Sequence, residues 1–374
     1  MDITTNLNIS YIMMYVINKK ERKTMQELEL LNITTQQQKI INFYMIYGVE
    51  LEYIKSVSSF AVTRYYYKIK NNAKISKINN LINELQLFIE CKKIKLDFEQ
   101  LSGCIIFECS KQDRKILYFE DLKNDKKEGL TASIGKDLNN KEIELNLLET
   151  PHLLVAGATG SGKSCILNNI ISSLALKYDK NYYRTILIDI KQVEFVQFAN
   201  IPQLATPIVT TVEKAIDILN KMVQIMTYRY ELLSTNNCRN IQEYNVKTTD
   251  KMCYYSIVID ELADLFIQAP DIEVILCRLA QLGRAAGINL ILATQRPDRQ
   301  TITGRLKVNI PSRIALTVGS IYDSRIILDQ TGAEKLTGKG DFILKMSNGE
   351  TIRGQGALIK DINKLLEGVK DENI

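Results

Sequence analysis

The chain has 374 residues, more than one ordinary domain requires, and this length suits two or three domains with sizeable hydrophobic cores. Hydrophobic residues make up 45% of the sequence and charged residues 24%, which excludes an intrinsically disordered or fibrous protein. The formal net charge of +5 excludes a polycation, so any contact with nucleic acid has to come from a local cluster of basic residues.

The sequence also limits the compartment and the chemistry. Its early apolar run, residues 11–17, is far shorter than the roughly 20 residues of a membrane span and has no signal-peptide cleavage pattern, which predicts a cytoplasmic protein. The single histidine, His152, argues against a histidine-ligated metal site or a Ser/His/Asp triad. Catalysis would therefore use carboxylates, lysine, arginine and backbone amides.

The amino-terminal third predicts two regions. We interpret residues 1–45 as an N-terminal arm of unknown role, because a helix-like stretch at 21–31 is followed by polar residues that suit a flexible connection. Residues 46–125 predict a small α+β domain that ends at the charged, turn-rich segment 123–129. The strand-like and helix-like segments of this domain are 60–69, 75–88 and 104–109.

Residues 126–374 predict an α/β domain with a predominantly parallel sheet, because short apolar strands alternate with amphipathic helices. A long helix is expected from Val212 to about Leu233, with Thr210 and Glu213 as its capping box. A hairpin is expected around residues 347–349. The five candidate core strands are 153–156, 185–190, 256–260, 290–294 and 314–318.

A glycine-rich segment after the first of these strands predicts a nucleotide site. Its glycines allow the backbone amides to converge on phosphate oxygens at the start of a helix, whose dipole also favours anions. Lys163 would reach the β- and γ-phosphates of ATP, and the Ser164 hydroxyl would hold Mg²⁺. This segment, which we call the glycine loop, comprises Gly157, Ala158, Thr159, Gly160, Ser161, Gly162, Lys163 and Ser164.

Polar residues end two further strands, where ligands of α/β sheets collect. Asp260 is a candidate for the magnesium shell, and Glu261 is a candidate to polarise the attacking water; the alternative is a solvated turn. Thr294 and Gln295 could sense the γ-phosphate and align water, although an ordinary strand end explains their spacing equally well.

Basic residues follow in two places. Arg278 and Arg284 precede the helix stop at Gly287, and such an arginine could stabilise charge on a neighbouring subunit's nucleotide, although most helix arginines are solvated. The segment from 296 to 313 is locally basic, with Asp298 as its one acidic residue, so it is either a phosphate-contacting loop or a solvated face. Its basic residues are Arg296, Arg299, Arg305, Lys307 and Arg313, and Arg325 could add a second contact.

Five ordered blocks resemble the motor core of the FtsK/SpoIIIE DNA translocases. They are 151–164, 258–264, 278–287, 292–297 and 327–332, and the resemblance spans about 130–360, with a weaker match over 55–125. It implies a RecA-like β subdomain and a smaller α subdomain, assembled as a ring, usually a hexamer, around double-stranded DNA, with ATP bound between subunits.

The resemblance also implies roles for individual residues. Arg284 falls on the family's trans-acting arginine, Arg296 and Lys307 on its first DNA-contacting loop, and Arg325 on its second. Asp189 and Lys191 match an Asp-x-Lys of unclear role.

The predicted function is ATP-dependent translocation of double-stranded DNA. The sequence matches neither the membrane-spanning N-terminus nor the C-terminal winged helix of the cell-division members, which favours a soluble motor like those of conjugative plasmids and transposons, with recruitment through a membrane or relaxosome partner. The alternatives are a type VII secretion-like protein-export ATPase and a nucleotide-gated DNA-binding scaffold that does not translocate.

Overall fold

The computed structural model describes residues 35–99, 102–111, 114–125 and 128–370. Most of the predicted N-terminal arm, including its helix-like stretch 21–31, lies outside the described residues. The chain divides into two compact units, a smaller one within residues 1–56 and 63–112 and a larger one within 57–62 and 113–374.

The smaller unit contains helices on a four-stranded sheet with the strand order β1-β2-β4-β3. Its elements are α1 (Gln36–Ile46), β1 (Leu51–Ser58), β2 (Val62–Ile69), α2 (Ile75–Asn80), α3 (Ile82–Phe88), β3 (Ile94–Glu99) and β4 (Cys104–Ser110). The α+β character is as predicted. Helix α1 occupies part of the expected arm and connection, because Ile40, Phe43 and Tyr44 are buried in the core of this unit.

The larger unit begins with an edge hairpin and continues into alternating strands and helices. Its first half consists of β5 (Thr131–Asp137), β6 (Glu142–Asn146), β7 (His152–Ala156), α4 (Lys163–Lys177), β8 (Tyr183–Ile188), α5 (Val212–Thr235), α6 (Ile241–Lys247) and β9 (Tyr254–Ile259). Its second half consists of α7 (Leu262–Gln268), α8 (Ile272–Leu282), β10 (Ile288–Thr294), α9 (Gly304–Asn309), β11 (Ser312–Leu316), α10 (Ile321–Leu328), β12 (Asp341–Lys345), β13 (Thr351–Gly356), α11 (Ile362–Leu365) and α12 (Glu367–Lys370).

These strands form one mixed sheet with the order β6-β5-β13-β12-β11-β7-β10-β9-β8. The five predicted core strands correspond to β7, β8, β9, β10 and β11, and all their neighbouring pairs are parallel. The prediction of a parallel core is therefore confirmed. The remaining four strands extend the sheet by antiparallel pairing, with β12 and β13 forming the predicted hairpin.

Parallel strands give the sheet two chemically distinct edges. We call the edge where β7 to β11 end the carboxyl edge and the opposite one the amino edge. Both sheet faces are covered by apolar clusters, and every residue of β7 and β10 is buried. Functional side chains must therefore lie at the edges, in the loops that leave these strands.

The start of α5 differs by one residue from the prediction. The helix begins at Val212 as expected, but its N-cap is Thr211, whose hydroxyl accepts a hydrogen bond from the backbone N–H of Lys214. The capping box of Thr210 and Glu213 is therefore wrong. The cap must immediately precede the first helical residue, and Thr211 has the extended backbone this position requires.

Among the described residues, no helix combines the length and the apolar character needed to cross a bilayer.

Candidate functional site: a phosphate cradle at the carboxyl edge

The glycine loop joins the end of β7 to the start of α4. Gly160 and Gly162 have φ of +73° and +110°, in the left-handed region that favours glycine. A Cβ on Gly162 would lie 2.5 Å from the backbone nitrogen of Gly340. That nitrogen donates a 2.8 Å hydrogen bond to the Ser161 carbonyl, so the loop is packed tightly against a second stretch of backbone. Only glycine fits at position 162 without displacing that backbone.

Several groups of the loop suit a phosphate ligand. The loop leads into the 15-residue helix α4, whose N-terminal N–H groups favour anions. The Ser161 Oγ is buried and has no hydrogen-bond partner among the described residues. A phosphate chain would supply the acceptor that this hydroxyl lacks.

Lys163 is held by the first carboxylate after β9. Its ammonium forms an ion pair with the Asp260 carboxylate and donates a 2.7 Å hydrogen bond to the Asp260 carbonyl. Both side chains are 3% exposed. Burial raises the pKa of Asp260, and the Lys163 ammonium acts in the opposite direction. The loop lysine thus already has an anionic partner in the same chain.

Glu261 is fixed by the end of the neighbouring strand β10. Its Oε1 accepts a 2.6 Å hydrogen bond from Thr294 Oγ1, and its Oε2 accepts a 3.0 Å bond from the Gln295 backbone N–H. The Gln295 side chain in turn accepts a 2.7 Å bond from Thr159 Oγ1 of the glycine loop. The structure therefore brings the predicted acids, Gln295 and the glycine loop together at one edge.

Asp189, whose role the sequence left open, shapes the loop after β8. Its carboxylate accepts hydrogen bonds of 2.8–3.1 Å from four successive backbone N–H groups, residues 192–195. Lys191 is more exposed and forms a 2.9 Å ion pair with Asp264. Asp189 thus fixes the backbone of this loop, and Lys191 is paired with a side chain of α7.

Arg284 does not join this cluster. It lies between α8 and β10 at the amino edge, whereas Gln295 follows the far end of β10. Strand β10 has seven residues, which corresponds to about 20 Å between the two edges. The Arg284 side chain is exposed, and it lies close enough to His152 for its charge to add to burial in lowering the pKa of His152 to about 4.

The basic residues predicted to contact DNA include exposed side chains and side chains that already have partners. Arg296 and Arg325 are exposed and form no ion pair with a described residue. Arg313 is buried on β11, where its guanidinium donates to the carbonyls of residues 307, 310 and 327. The prediction that Arg313 belongs to a basic surface is therefore wrong, because its buried guanidinium is hydrogen-bonded to three backbone carbonyls.

Asp329 is the acid that sequence reasoning missed in this region. It ends α10 with φ of +61° and forms ion pairs with Lys307, Arg313 and Lys345. Although partial burial alone would raise its pKa, hydrogen bonds from Lys307 and Arg313 hold the pKa of Asp329 far below the usual range. Asp298, the acid visible in the sequence, instead accepts hydrogen bonds from two backbone N–H groups of its own turn.

The sheet order and the glycine loop define the class of the larger unit as a RecA-like P-loop NTPase fold, as predicted. Solved structures with this fold match the chain. The pCW3 conjugation coupling protein TcpA, in its monomer form with ATPγS, is 26% identical, covers 91% of this chain and 97% of its own, and has a TM-score of 0.64. The cytoplasmic domain of the type VII secretion ATPase EccC of Thermomonospora curvata is 25% identical with a TM-score of 0.59, over 66% of this chain and 31% of its own.

The family follows from the sequence comparisons. The FtsK/SpoIIIE family model matches residues 118–256 and 246–299. The DNA translocase FtsK of Clostridium acetobutylicum is 36% identical over 374 aligned positions, which cover 96% of this chain and 49% of that protein. The chain belongs to the FtsK/SpoIIIE family, and it spans about half the length of the curated relatives it matches.

Proposed function

We propose that this chain is an ATP-driven motor that moves double-stranded DNA through a ring of like subunits, with ATP bound between neighbours. The observation that carries the proposal is the fixed Glu261 carboxylate beside the Lys163–Asp260 pair, at the carboxyl edge of a sheet in a chain of the FtsK/SpoIIIE family. A scaffold that only binds nucleotide has no use for a buried acid oriented in this way.

Nucleotide binding would exchange one partner of Lys163 for another. The triphosphate would take the Lys163 ammonium from Asp260, while the glycine-loop amides and Ser161 Oγ bind the phosphate oxygens. The freed Asp260 carboxylate and the Ser164 hydroxyl are hard oxygen donors of the kind that Mg²⁺ uses beside nucleotide phosphates. The described residues contain no cluster of three or more acidic, histidine or cysteine ligands, which also suits a cation held largely by phosphates. When bound, the cation would neutralise phosphate charge.

Hydrolysis would use the groups tied to the end of β10. Glu261 would accept a proton from the attacking water, with Thr294 and the Gln295 amide holding its carboxylate in place. Gln295 would report on the γ-phosphate, since its side chain bonds directly to Thr159 of the glycine loop. Arg284 would act on the nucleotide of the adjacent subunit.

DNA would contact the exposed basic residues Arg296 and Arg325, together with Lys307. Lys307 is paired with Asp329 here, so its engagement with DNA phosphate would require exchange of one anionic partner for another. The likeness to a conjugation coupling protein supports a role in DNA transfer by a mobile element, with recruitment through a membrane or relaxosome partner.

Displacement of the third strand from a linear triplex tests translocation. The wild-type chain with ATP and Mg²⁺ should strip the third strand, and duplex DNA should raise its ATPase rate more than single strands do. Arg296→Glu should remove the DNA stimulation and keep basal turnover. Lys221→Glu, a charge reversal at an exposed position on α5, is the matched control and should behave as wild type.

The likeness to EccC supports a second candidate, a protein-export ATPase. The triplex test separates the candidates: ATPase activity without strand displacement would favour export, and DNA binding without ATPase activity would favour a scaffold. Either result would refute the translocase proposal.

A further inference from the structure

A cavity of about 380 Å³ opens at the amino edge of the sheet. It lies beside the starts of β9 and β10, between the last residues of α8 and the segment that leads into α6. Arg239 and Arg284 line it from opposite segments of the chain. Its other polar lining residues are Asn240, Gln242, Gln281 and Asn289, and no acidic residue is among the described residues that line it.

The two guanidinium groups are available for a ligand. Neither forms a hydrogen bond or an ion pair through its side chain with a described residue, whereas the nearby Arg229 is bound to two backbone carbonyls at 2.6 and 2.7 Å. The backbone of Arg239 is nevertheless fixed, because its N–H donates to Glu243 at 2.8 Å. The side chain is thus free while its attachment point is held.

A third group in the cavity also lacks an acceptor. Asn289 is 2% exposed, and its Nδ2 has no hydrogen-bond partner among the described residues. A buried N–H donor without an acceptor is costly, so its position beside two cations indicates a place for an oxyanion. Guanidinium groups suit phosphate in particular, because their paired N–H donors bind two oxygens at once.

The chain's own glycine loop cannot supply that phosphate. The loop lies at the carboxyl edge, about 20 Å away along β10, beyond the reach of either arginine. A triphosphate held by the glycine loop of a second copy could approach the cavity from outside, since both guanidinium groups lie on exposed residues.

We infer that this cavity receives the triphosphate bound by a second copy of the chain, and that Arg239 acts there together with Arg284 as a second guanidinium. This inference rests on the proposed function, which needs nucleotide between neighbouring subunits. It adds a binding residue, Arg239, from the segment between α5 and α6, and it requires each neighbour to contribute two cations to the transition state.

Mixed oligomers test the trans action of Arg239. Arg239→Ala should lower kcat for ATP by about 10²-fold, as loss of one preorganised charge-stabilising donor does, and should leave the affinity of an isolated copy for an ATP analogue unchanged. Mixing Arg239→Ala with Lys163→Ala should restore turnover, because some interfaces between neighbouring subunits then join an intact glycine loop to two intact arginines. Mixing Arg239→Ala with Arg284→Ala should not, because every glycine loop is intact but every neighbouring subunit lacks one of the two arginines.

Matched variants separate this role from a structural one. Lys221→Ala removes an exposed cation of α5 that does not line the cavity and should keep the wild-type rate. Arg239→Lys keeps the charge but not the paired donors, and it should recover only part of the loss. Thermal melts of all variants establish that the comparison is made between folded proteins.

The outcomes distinguish the inference from the proposal beneath it. If Arg239→Ala turns over ATP at the wild-type rate while Arg284→Ala is inactive, the inference is overturned and the motor proposal stands. If the wild-type chain fails to hydrolyse ATP, the motor proposal itself fails. If the mixture of Arg239→Ala with Lys163→Ala stays as slow as Arg239→Ala alone, while the mixture of Arg284→Ala with Lys163→Ala recovers turnover, Arg239 does not act across subunits and the inference is again overturned.

Discussion

Charged side chains have partners at the carboxyl edge of the parallel sheet, whereas two arginines at the amino edge have none among the described residues. At the carboxyl edge, Lys163 is paired with Asp260, and Glu261 is bound by Thr294. At the amino edge, Arg239 and Arg284 have no side-chain partner among the described residues. A buried charge without a partner is strongly destabilising, whereas an exposed arginine is solvated by water at little cost. A single copy can therefore satisfy the buried charges beside its glycine loop with its own residues, while its two arginines stay available to another molecule.

The largest effect should come from breaking the carboxyl-edge ion pair. Lys163→Ala should abolish nucleotide binding and lower the free energy of unfolding by about 3–5 kcal/mol, because Asp260 is left buried without its cation. Adding Asp260→Asn should recover much of the stability but none of the binding. Titration with an ATP analogue and urea unfolding measure both effects. Equal stability of the single and double variants would show that the pair does not stabilise the cradle.

The next largest effect should separate ATP hydrolysis from ATP binding at the carboxyl edge. Glu261→Gln keeps the size of the side chain and an acceptor for Thr294, so ATP should still bind. Turnover should fall by about 10²- to 10⁴-fold because the amide cannot accept a proton from water. Steady-state kinetics beside analogue binding measure this split. Normal hydrolysis by the variant would remove Glu261 from the role of base.

At the amino edge, His152 should contribute a pH dependence of stability. Burial, with a smaller effect of the Arg284 charge, lowers the pKa of His152 to about 4, and its Nδ1 accepts a hydrogen bond from the Leu290 N–H. The unfolded chain takes up a proton near pH 6.5 and the folded chain only near 4, so stability is complete above about 6.5 and falls as the pH drops between these values. The loss should be on the order of 3 kcal/mol.

Urea unfolding at pH 7 and at pH 4.5 measures this loss. His152→Asn keeps an acceptor for Leu290 but does not titrate, so the difference between the wild type and this variant should shrink as the pH falls. Because the chain has one histidine, no second imidazole obscures the comparison. A constant difference over this range would contradict the lowered pKa.

The smallest effect concerns the orientation of the carboxyl-edge acid. Thr294→Val removes the hydroxyl that donates to Glu261 but keeps the Gln295 N–H that donates to the same carboxylate. We expect kcat to fall about tenfold, a loss of about 1.4 kcal/mol in transition-state stabilisation, consistent with one net hydrogen bond. KM for ATP should change little. Thr294→Ser restores the hydroxyl and should restore the rate.

The sequence predicted the features that depend on local order. Short patterns predict the five core strands, the glycine loop, the hairpin and the acids after β9. A run of apolar residues indicates a buried strand, and the polar residue that follows it marks the end of that strand. The strands β5 and β6 were not predicted. The β5–β6 pair has a shift of register between Ser133 and Gly135, which weakens the alternation that identifies edge strands.

Contacts between distant parts of the chain were beyond the reach of the sequence. Arg313 belongs to the basic segment by position, yet it is buried, and its anionic partner Asp329 lies 16 residues further on. The cavity likewise joins Arg239 to Arg284 across 45 positions, and nothing in either local pattern marks them as neighbours. Burial and pairing of charges are properties of the packed fold, so local patterns cannot report them.

In the proposed motor, the ion pair between Lys163 and Asp260 would make nucleotide binding an exchange of one anionic partner of the lysine for another. The Asp260 carboxylate would compete with phosphate for the Lys163 ammonium as a tethered ligand of high effective concentration. Nucleotide arrival and release of Asp260 would then be coupled, and the aspartate would become free to bind a cation only when a phosphate had taken its place. After hydrolysis the returning carboxylate would compete with the products for Lys163 and so favour their release.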